Sequence, residues 1–252
     1  MTSRLVDRIA LVTGAGSGIG LATAMTYLRE DATVFFADVD EERAREVVSG
    51  AGTARALAIT MDITDEDQVS RGFKEMAAHG FVPDVVVANA GIQLIGRDAS
   101  IHELDFETWR QTIDTNLTGT FFTVKHAVRA MLPSGGSIIV VGSPTGITGE
   151  GCDFTAYAVS KAGIHGLSRT VAAAYAEQGI RVNTVIPGYT ATPLTAAISA
   201  DDDARSAIVA RIPMGRVGTV NDLEGIMVYL ASDESSYATG SMFMVDGGMT
   251  AL

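Results

Sequence analysis

The chain has 252 residues, 47% of them hydrophobic and 19% charged, with a net charge of −12. That is enough for one α/β domain with a large core, and the excess of acid excludes a sizeable footprint for nucleic acid or an anionic membrane surface. Cys152 is the only cysteine, so an internal disulfide is excluded and a reducing compartment is expected. The segment from Met1 to Arg8 carries charges of both signs and does not read as a signal peptide. No later stretch has the length and apolarity to span a bilayer, so the chain is expected to be soluble and cytoplasmic.

Apolar bursts alternate with helix-period segments along the whole chain. Ile9–Val12 reads as a strand, Gly18–Glu30 as a helix, Thr33–Ala37 as a second strand and Glu41–Ser49 as a charged helix. Ala56–Met61 is a third strand, and Asp65–Ala78 a helix with Thr64 as its candidate cap. Val85–Ala88 follows as a strand, then a long helical region over about Phe106–Met131, then the strand Ser137–Val141. An apolar helix opens near Thr155 and runs to about Gln178. Arg181–Ile186 is a strand, Thr190–Ile212 is partly helical, Val220–Ala231 is a helix, and Ser241–Val245 is a last short strand. This alternation calls for a parallel sheet covered by helices on both faces, in one domain without repeat or linker.

Four βα junctions carry residues suited to a dinucleotide. After the first strand come Thr13, Gly14, Gly16, Ser17, Gly18, Ile19 and Gly20. Glycines there allow a tight turn and a close backbone approach to a pyrophosphate at a helix N-terminus, where N–H groups and the helix dipole favour anions. Asp38 ends the second strand, and its carboxylate suits ribose hydroxyls while repelling a 2′-phosphate. Its neighbours Val39 and Asp40 offer no positive charge, nor does Ser17, so the expected cofactor is NAD. Asp62-Ile63 follows the third strand, where Asp62 suits an adenine amino group or the cap of the next helix. Asn89-Ala90-Gly91 follows the fourth strand and leaves room for a nucleotide against the backbone.

The chemistry centres on Tyr157 and Lys161. Residues four apart share one helix face, so phenol and ammonium point into one cleft. A free tyrosine titrates near pH ~10, and bringing it to about 7 takes roughly 4 kcal/mol of differential stabilisation. A fixed positive charge works in that direction, but one lysine falls short, and an oxidised nicotinamide ring would serve as the second cation.

Together these motifs resemble the short-chain dehydrogenase/reductase family over essentially the whole chain. The resemblance rests on Thr13–Gly20, Asn89–Gly91, Asn116, Ser143, Tyr157-x-x-x-Lys161, Asn183-x-x-x-Pro187-Gly188 and Val245-Asp-Gly-Gly248. It implies a single-domain Rossmann fold with seven parallel strands, doubly wound. It also implies NAD(P)-dependent carbonyl/alcohol chemistry, and commonly a homotetramer. By this resemblance Tyr157 is the general acid/base, and Lys161 lowers its pKa and binds the nicotinamide ribose. Ser143 bonds the reacting oxygen, and Asn116 anchors a water in a proton relay to Lys161. Pro187-Gly188 passes beside the nicotinamide, with Thr190 and Thr192 near its carboxamide. Ser143 lies one position further from the tyrosine than is usual in the family, and Pro144 occupies the usual position, so Thr145 is the fallback donor. Ala88 stands where relatives often have a second Asn.

Ligands in open α/β sheets bind beyond the carboxyl ends of the strands, so Ile92–Ala99, Pro144–Thr155 and Tyr189–Ile212 are expected to line a substrate pocket. Gln93, Ser143, Thr145, Cys152 and Tyr189 are its candidate contacts, with Glu150 and Asp153 as further polar groups. Thr190–Ile212 reads as a lid. His79, His102, His126 and His165 have no partner at ligand spacing, so a metal is not expected. The expected activity is NAD-dependent interconversion of a secondary alcohol and a ketone, such as a sugar, polyol or other hydroxylated small molecule. The alternatives are a 3-oxoacyl-thioester reductase, with an acyl carrier protein or CoA as carrier, and a catalytically silent NAD-sensing module.

Overall fold

Near-continuous runs of Val, Ile, Phe and Ala mark strands buried on both faces. In the computed structural model, which describes residues 3–149, 153–196 and 200–251, seven such runs form one parallel sheet. They are β1 (Ile9–Thr13), β2 (Thr33–Asp38), β3 (Ala56–Thr60), β4 (Val85–Ala88), β5 (Gly136–Val141), β6 (Ile180–Pro187) and β7 (Met242–Val245). Their order is β3-β2-β1-β4-β5-β6-β7, with every neighbouring pair parallel. This is the seven-stranded Rossmann arrangement expected from the sequence.

Alternate residues of each strand serve opposite faces. Val12, Val34, Phe36, Val85, Val87 and Ile139 belong to one core, packed with Tyr27 and Leu28 of α1 (Gly18–Arg29) and Leu223 and Met227 of α8 (Asn221–Ala231). α2 (Glu41–Ala51) adds Val47 and Val48 to that side. Leu11, Phe35, Val86, Ile138 and Val140 serve the other core. There they meet α3 (Glu66–Ala78), α5 (Thr120–Met131) and α6 (Thr155–Tyr175) through Phe73, Val124, Met131 and Ile164. The chain is thus doubly wound, and among the described residues no helix is long and apolar enough to cross a membrane.

One local expectation needs correction, and two helical regions prove to be of mixed type. Asp65, not Thr64, caps α3: its carboxylate accepts the N–H groups of Asp67 and Gln68, while Thr64 turns back to Asp62 through both its N–H and its hydroxyl, each at 2.8 Å. The region 106–131 is helical throughout, as expected, but not all of it is α-helix. α4 (Phe106–Ile113) passes into a π-helical segment, Asp114–Gly119, before α5 begins, and such wide turns are frequent at functional positions. Finally, α6 ends at Tyr175 and a 3₁₀ turn, Ala176–Gln178, leads to Gly179 in the left-handed region. Beyond β6, Thr190 bridges to Gly218, Pro193–Thr195 forms a 3₁₀ turn, and α7 covers Asp202–Val209.

Candidate active site

The strand order reverses between β1 and β4, and the carboxyl ends of the strands there frame a cleft of about 1140 Å³. Its β1–β3 side is shaped mainly by backbone. Gly14 adopts φ +64°, and a Cβ on it would lie 2.9 Å from Ala90 Cα. A Cβ on Gly20 would lie 2.2 Å from the Gly14 carbonyl oxygen, so α1 can seat against β1 only through glycine. Gly16 donates its N–H to Asp38 Oδ2 at 2.8 Å, and its carbonyl accepts from Arg43 Nε at 2.8 Å. Sequence proximity had shown no cation near Asp38; Arg43, from α2, is one. At the start of α1, Ser17 makes no side-chain cap bond and the first turn holds no acid. That leaves helix N–H donors for an anion, so the loop fits a pyrophosphate.

Thr13 ties this loop to β4. Its hydroxyl accepts the N–H groups of Asn89 and Ala90, both at 3.0 Å, and Asn89 Nδ2 returns a bond to the Thr13 carbonyl at 2.9 Å. Gly14, Ser17, Gly18, Ile19, Asp38, Val39, Asp62, Ile63, Asn89, Ala90 and Gly91 all line the cleft. Gly16 and Gly20 do not; they support it from behind.

On the β4–β6 side the reactive groups come together. Tyr157 and Lys161 face inward from α6, with Lys161 Nζ 5.6 Å from the phenol ring centre and donating to the Val141 carbonyl at 2.9 Å. Ser143, just beyond β5, lines the same wall as Tyr157, and its hydroxyl acts to lower the pKa of the phenol. Ser143 leads into the 3₁₀ turn Pro144–Gly146. Thr145 does not take over the serine's place; its hydroxyl donates to Ser143 Oγ at 2.9 Å. Burial pushes the Tyr157 phenol up to about 12, against the lowering influence of the Ser143 hydroxyl, and pushes the Lys161 ammonium down to about 8. At neutral pH the protein by itself therefore holds Tyr157 protonated.

Asn116 sits in the π-helical segment, 1% exposed. Its side-chain oxygen accepts the Ile92 N–H at 2.7 Å, and its amide nitrogen donates to the Ile92 carbonyl at 2.8 Å and Ser160 Oγ at 3.1 Å. Gly91 admits this packing: a Cβ there would stand 3.1 Å from Asn116 Oδ1 and 3.7 Å from Lys161 Nζ. Pro187, Gly188, Tyr189, Thr190, Thr192, Gln93 and Thr145 line the cleft as expected. Asp153 is exposed and does not line it; Glu150 and Cys152 fall outside the described residues.

Phe154, Leu194, Ile208 and Arg211 also line the cleft, within the segments expected to do so, whereas Arg110 and Met249 had no sequence signal. His165, one turn beyond Lys161 on α6, accepts the Ser143 N–H at 3.5 Å. Glycine at 142 and 146 makes room for its ring, since added Cβ atoms would lie 2.4 Å from Nε2 and 2.8 Å from Cε1. Burial first, then the charges of Lys161 and Arg169, push His165 down to about 4, so it is neutral at physiological pH.

A family model described as enoyl-(acyl carrier protein) reductase matches residues 14–250. The chain belongs to the short-chain dehydrogenase/reductase family. It is an oxidoreductase of that family, which uses a nicotinamide cofactor and acts on CH–OH groups. Among similar proteins is the cis-4-hydroxycyclohexanecarboxylate dehydrogenase of Sinomonas cyclohexanicum, 41% identical over the full length of both chains. The 3-oxoacyl-[acyl-carrier-protein] reductase of Thermotoga maritima is 37% identical over 98% of this chain and 99% of its own. A solved structure described as a candidate NAD(P)-dependent gluconate 5-dehydrogenase from Beutenbergia cavernae, with NADP bound at low occupancy, covers both chains completely at 38% identity and a TM-score of 0.90.

Proposed function

We propose that this short-chain dehydrogenase/reductase interconverts a ring-borne secondary alcohol and its ketone with NAD, with Tyr157 as the general acid/base. The observation that carries the reading is the meeting of Tyr157, Ser143 and Lys161 on one wall of the cleft. In the oxidative direction Tyr157 Oη takes the proton of the substrate hydroxyl, and in the reductive direction it returns one to the carbonyl oxygen. Ser143 holds the reacting oxygen beside the phenol. Lys161 stabilises the phenolate and, with Asn116 beneath it, supports proton exchange with solvent. Gly14–Gly20 would hold the pyrophosphate, Asp38 and Val39 the adenosine ribose, and Asp62 and Ile63 the adenine. Tyr157, Lys161 and the segment Pro187–Thr192 would hold the nicotinamide end. When bound, the nicotinamide supplies the hydride donor or acceptor, and the chain contributes proximity, orientation and proton handling.

Asp38 supports NAD over NADP, because a carboxylate at that position repels a 2′-phosphate. The substrate class draws support from the 41% identical relative named for a hydroxycyclohexanecarboxylate and from Arg211, a cation on the cleft wall suited to a carboxylate. A second reading, reduction of a 3-oxoacyl thioester, draws on the 37% identical reductase; Asp38 and the acidic surface weigh against it. We further infer a cytoplasmic homotetramer. The exposed Phe106, Phe121 and Val159, and the edge-strand residues Met242 and Met244, offer apolar surface for it.

The test is nicotinamide absorbance with NAD⁺ or NADP⁺ against cyclic hydroxy acids, cyclohexanols, sugars, polyols and 3-hydroxyacyl thioesters. Turnover of a cyclic alcohol with NAD⁺ is expected. Tyr157→Phe should lower kcat by about 10²–10⁴-fold while leaving NAD⁺ affinity within about twofold. Retention of most activity in that variant would remove Tyr157 from the chemistry.

A further inference from the structure

The helix that carries Tyr157 begins without a cap of its own. Phe154 occupies the N-cap position with no side-chain cap bond, and the first turn contains no acidic residue. The first main-chain helical bond runs from Ala158 N–H to the Phe154 carbonyl at 2.8 Å, which leaves the preceding N–H groups in need of other acceptors.

Asp98, from the segment between β4 and α4, supplies them. Its side chain is buried, at 4% exposure. Oδ1 accepts the Ala156 N–H at 3.0 Å, and Oδ2 accepts the N–H of Tyr157 itself at 2.9 Å. Oδ1 also accepts the N–H of Ala99 at 3.0 Å, and Thr155 Oγ1 donates to the Ala99 carbonyl at 2.6 Å. A carboxylate at a helix N-terminus is favoured by the helix dipole, and charge-assisted bonds of this length are the strong ones. The same segment carries Ile92, whose main chain holds Asn116, and Gln93 on the cleft wall.

We propose that Asp98 is a positioning residue for the reaction: it caps the catalytic helix from 59 residues away in sequence and so sets where the Tyr157 phenol stands relative to Ser143 and Lys161. The inference rests on Tyr157 being the acid/base. Asp98 touches neither substrate nor cofactor. Its effect is on the placement of the phenol, where a misplacement of about 1 Å costs on the order of 10²-fold in rate.

The experiment compares Asp98→Asn and Asp98→Ala with wild type and Tyr157→Phe, using NAD⁺ and whichever alcohol the wild type turns over. Asparagine keeps one of the two acceptor oxygens, so kcat should fall about tenfold in Asp98→Asn and about a hundredfold in Asp98→Ala, with the NAD⁺ dissociation constant of the folded fraction within about twofold of wild type. Unchanged kcat in both variants, or a loss of kcat matched by the loss of folded protein, overturns the proposal. Should the variants not fold, hydrogen exchange on the wild-type chain decides: the amides of Ala156 and Tyr157 should be as protected as those in the middle of α6, and fast exchange there overturns it. A fully active Tyr157→Phe removes the reading beneath the proposal, whereas an inactive Tyr157→Phe beside fully active Asp98 variants removes the proposal alone.

Discussion

The β1–β3 side of the cleft is shaped by main-chain atoms, the β4–β6 side by side chains that distant segments hold in place. On the first side a Cβ at Gly20 would meet a carbonyl oxygen at 2.2 Å, and Asp38 bonds directly to the backbone of Gly16. On the second, Tyr157 depends on Ser143, Ser143 on His165 and Thr145, and the helix beneath them on Asp98. Binding a common group needs a fixed backbone mould. Moving a proton needs side chains whose pKa values and spacing are set by their surroundings. The difference also says how each half should fail.

Gly20→Ala should have the largest effect on the first half. A close contact of this kind costs about 1–3 kcal/mol, so NAD⁺ affinity should drop by about tenfold to a hundredfold with a lower melting temperature, read by fluorescence titration and thermal unfolding. Normal NAD⁺ affinity would mean that α1 can shift without cost, and that the mould is less rigid than the packing indicates.

Asp38→Ala should act less strongly and more selectively. NAD⁺ affinity should weaken by about tenfold, or ~1.4 kcal/mol, and the preference for NAD⁺ over NADP⁺ should shrink as the repelling carboxylate is removed. Arg43, already at the Gly16 carbonyl, is a cation available near that position. An unchanged cofactor ratio would remove Asp38 as the discriminating group.

The smallest effect concerns His165 and appears only in acid. Its pKa lies near 4 in the folded protein, below its ordinary 6.5, so the unfolded chain binds the proton more readily. Its contribution to stability is therefore level above pH 6.5 and declines as pH falls toward 4. Wild type should lose more stability between about pH 7 and about pH 5 than His165→Gln does, measured as urea midpoints. Parallel acid limbs would show that His165 titrates normally.

The two halves were also unequally legible in the sequence. Strands buried on both faces leave unbroken apolar runs, so Val85–Ala88 is found at its observed limits. The glycine loop is legible for a related reason: a positive φ at Gly14 and close contacts at Gly20 demand one residue type. Tyr157 and Lys161 show because both lie on one helix, one turn apart. Asp98, His165 and Arg43 left no trace, since each works through a partner on another segment, and nothing local distinguishes a buried capping aspartate from a solvated one. The π-helical turn around Asn116 was hidden because its composition suits an ordinary helix, and Thr64 was misread because Asp65 beside it is an equally good cap. Leu194, Ile208 and Arg211 line the cleft within the segment expected to do so, but which of its residues turn inward depends on how it folds back, which periodicity does not encode.

The most direct test of the account is the ionisation of Tyr157 itself, followed as the ultraviolet difference between wild type and Tyr157→Phe during a pH titration, with and without saturating NAD⁺. Burial holds the phenol near 12 in the protein alone, so no phenolate signal should appear at neutral pH without cofactor. With NAD⁺ bound the midpoint should move down by at least about 2 units, as a second positive charge stabilises the phenolate. A midpoint that NAD⁺ leaves in place, or one already near 7 in the free protein, would contradict the assignment of Tyr157 as a proton carrier that the cofactor switches on.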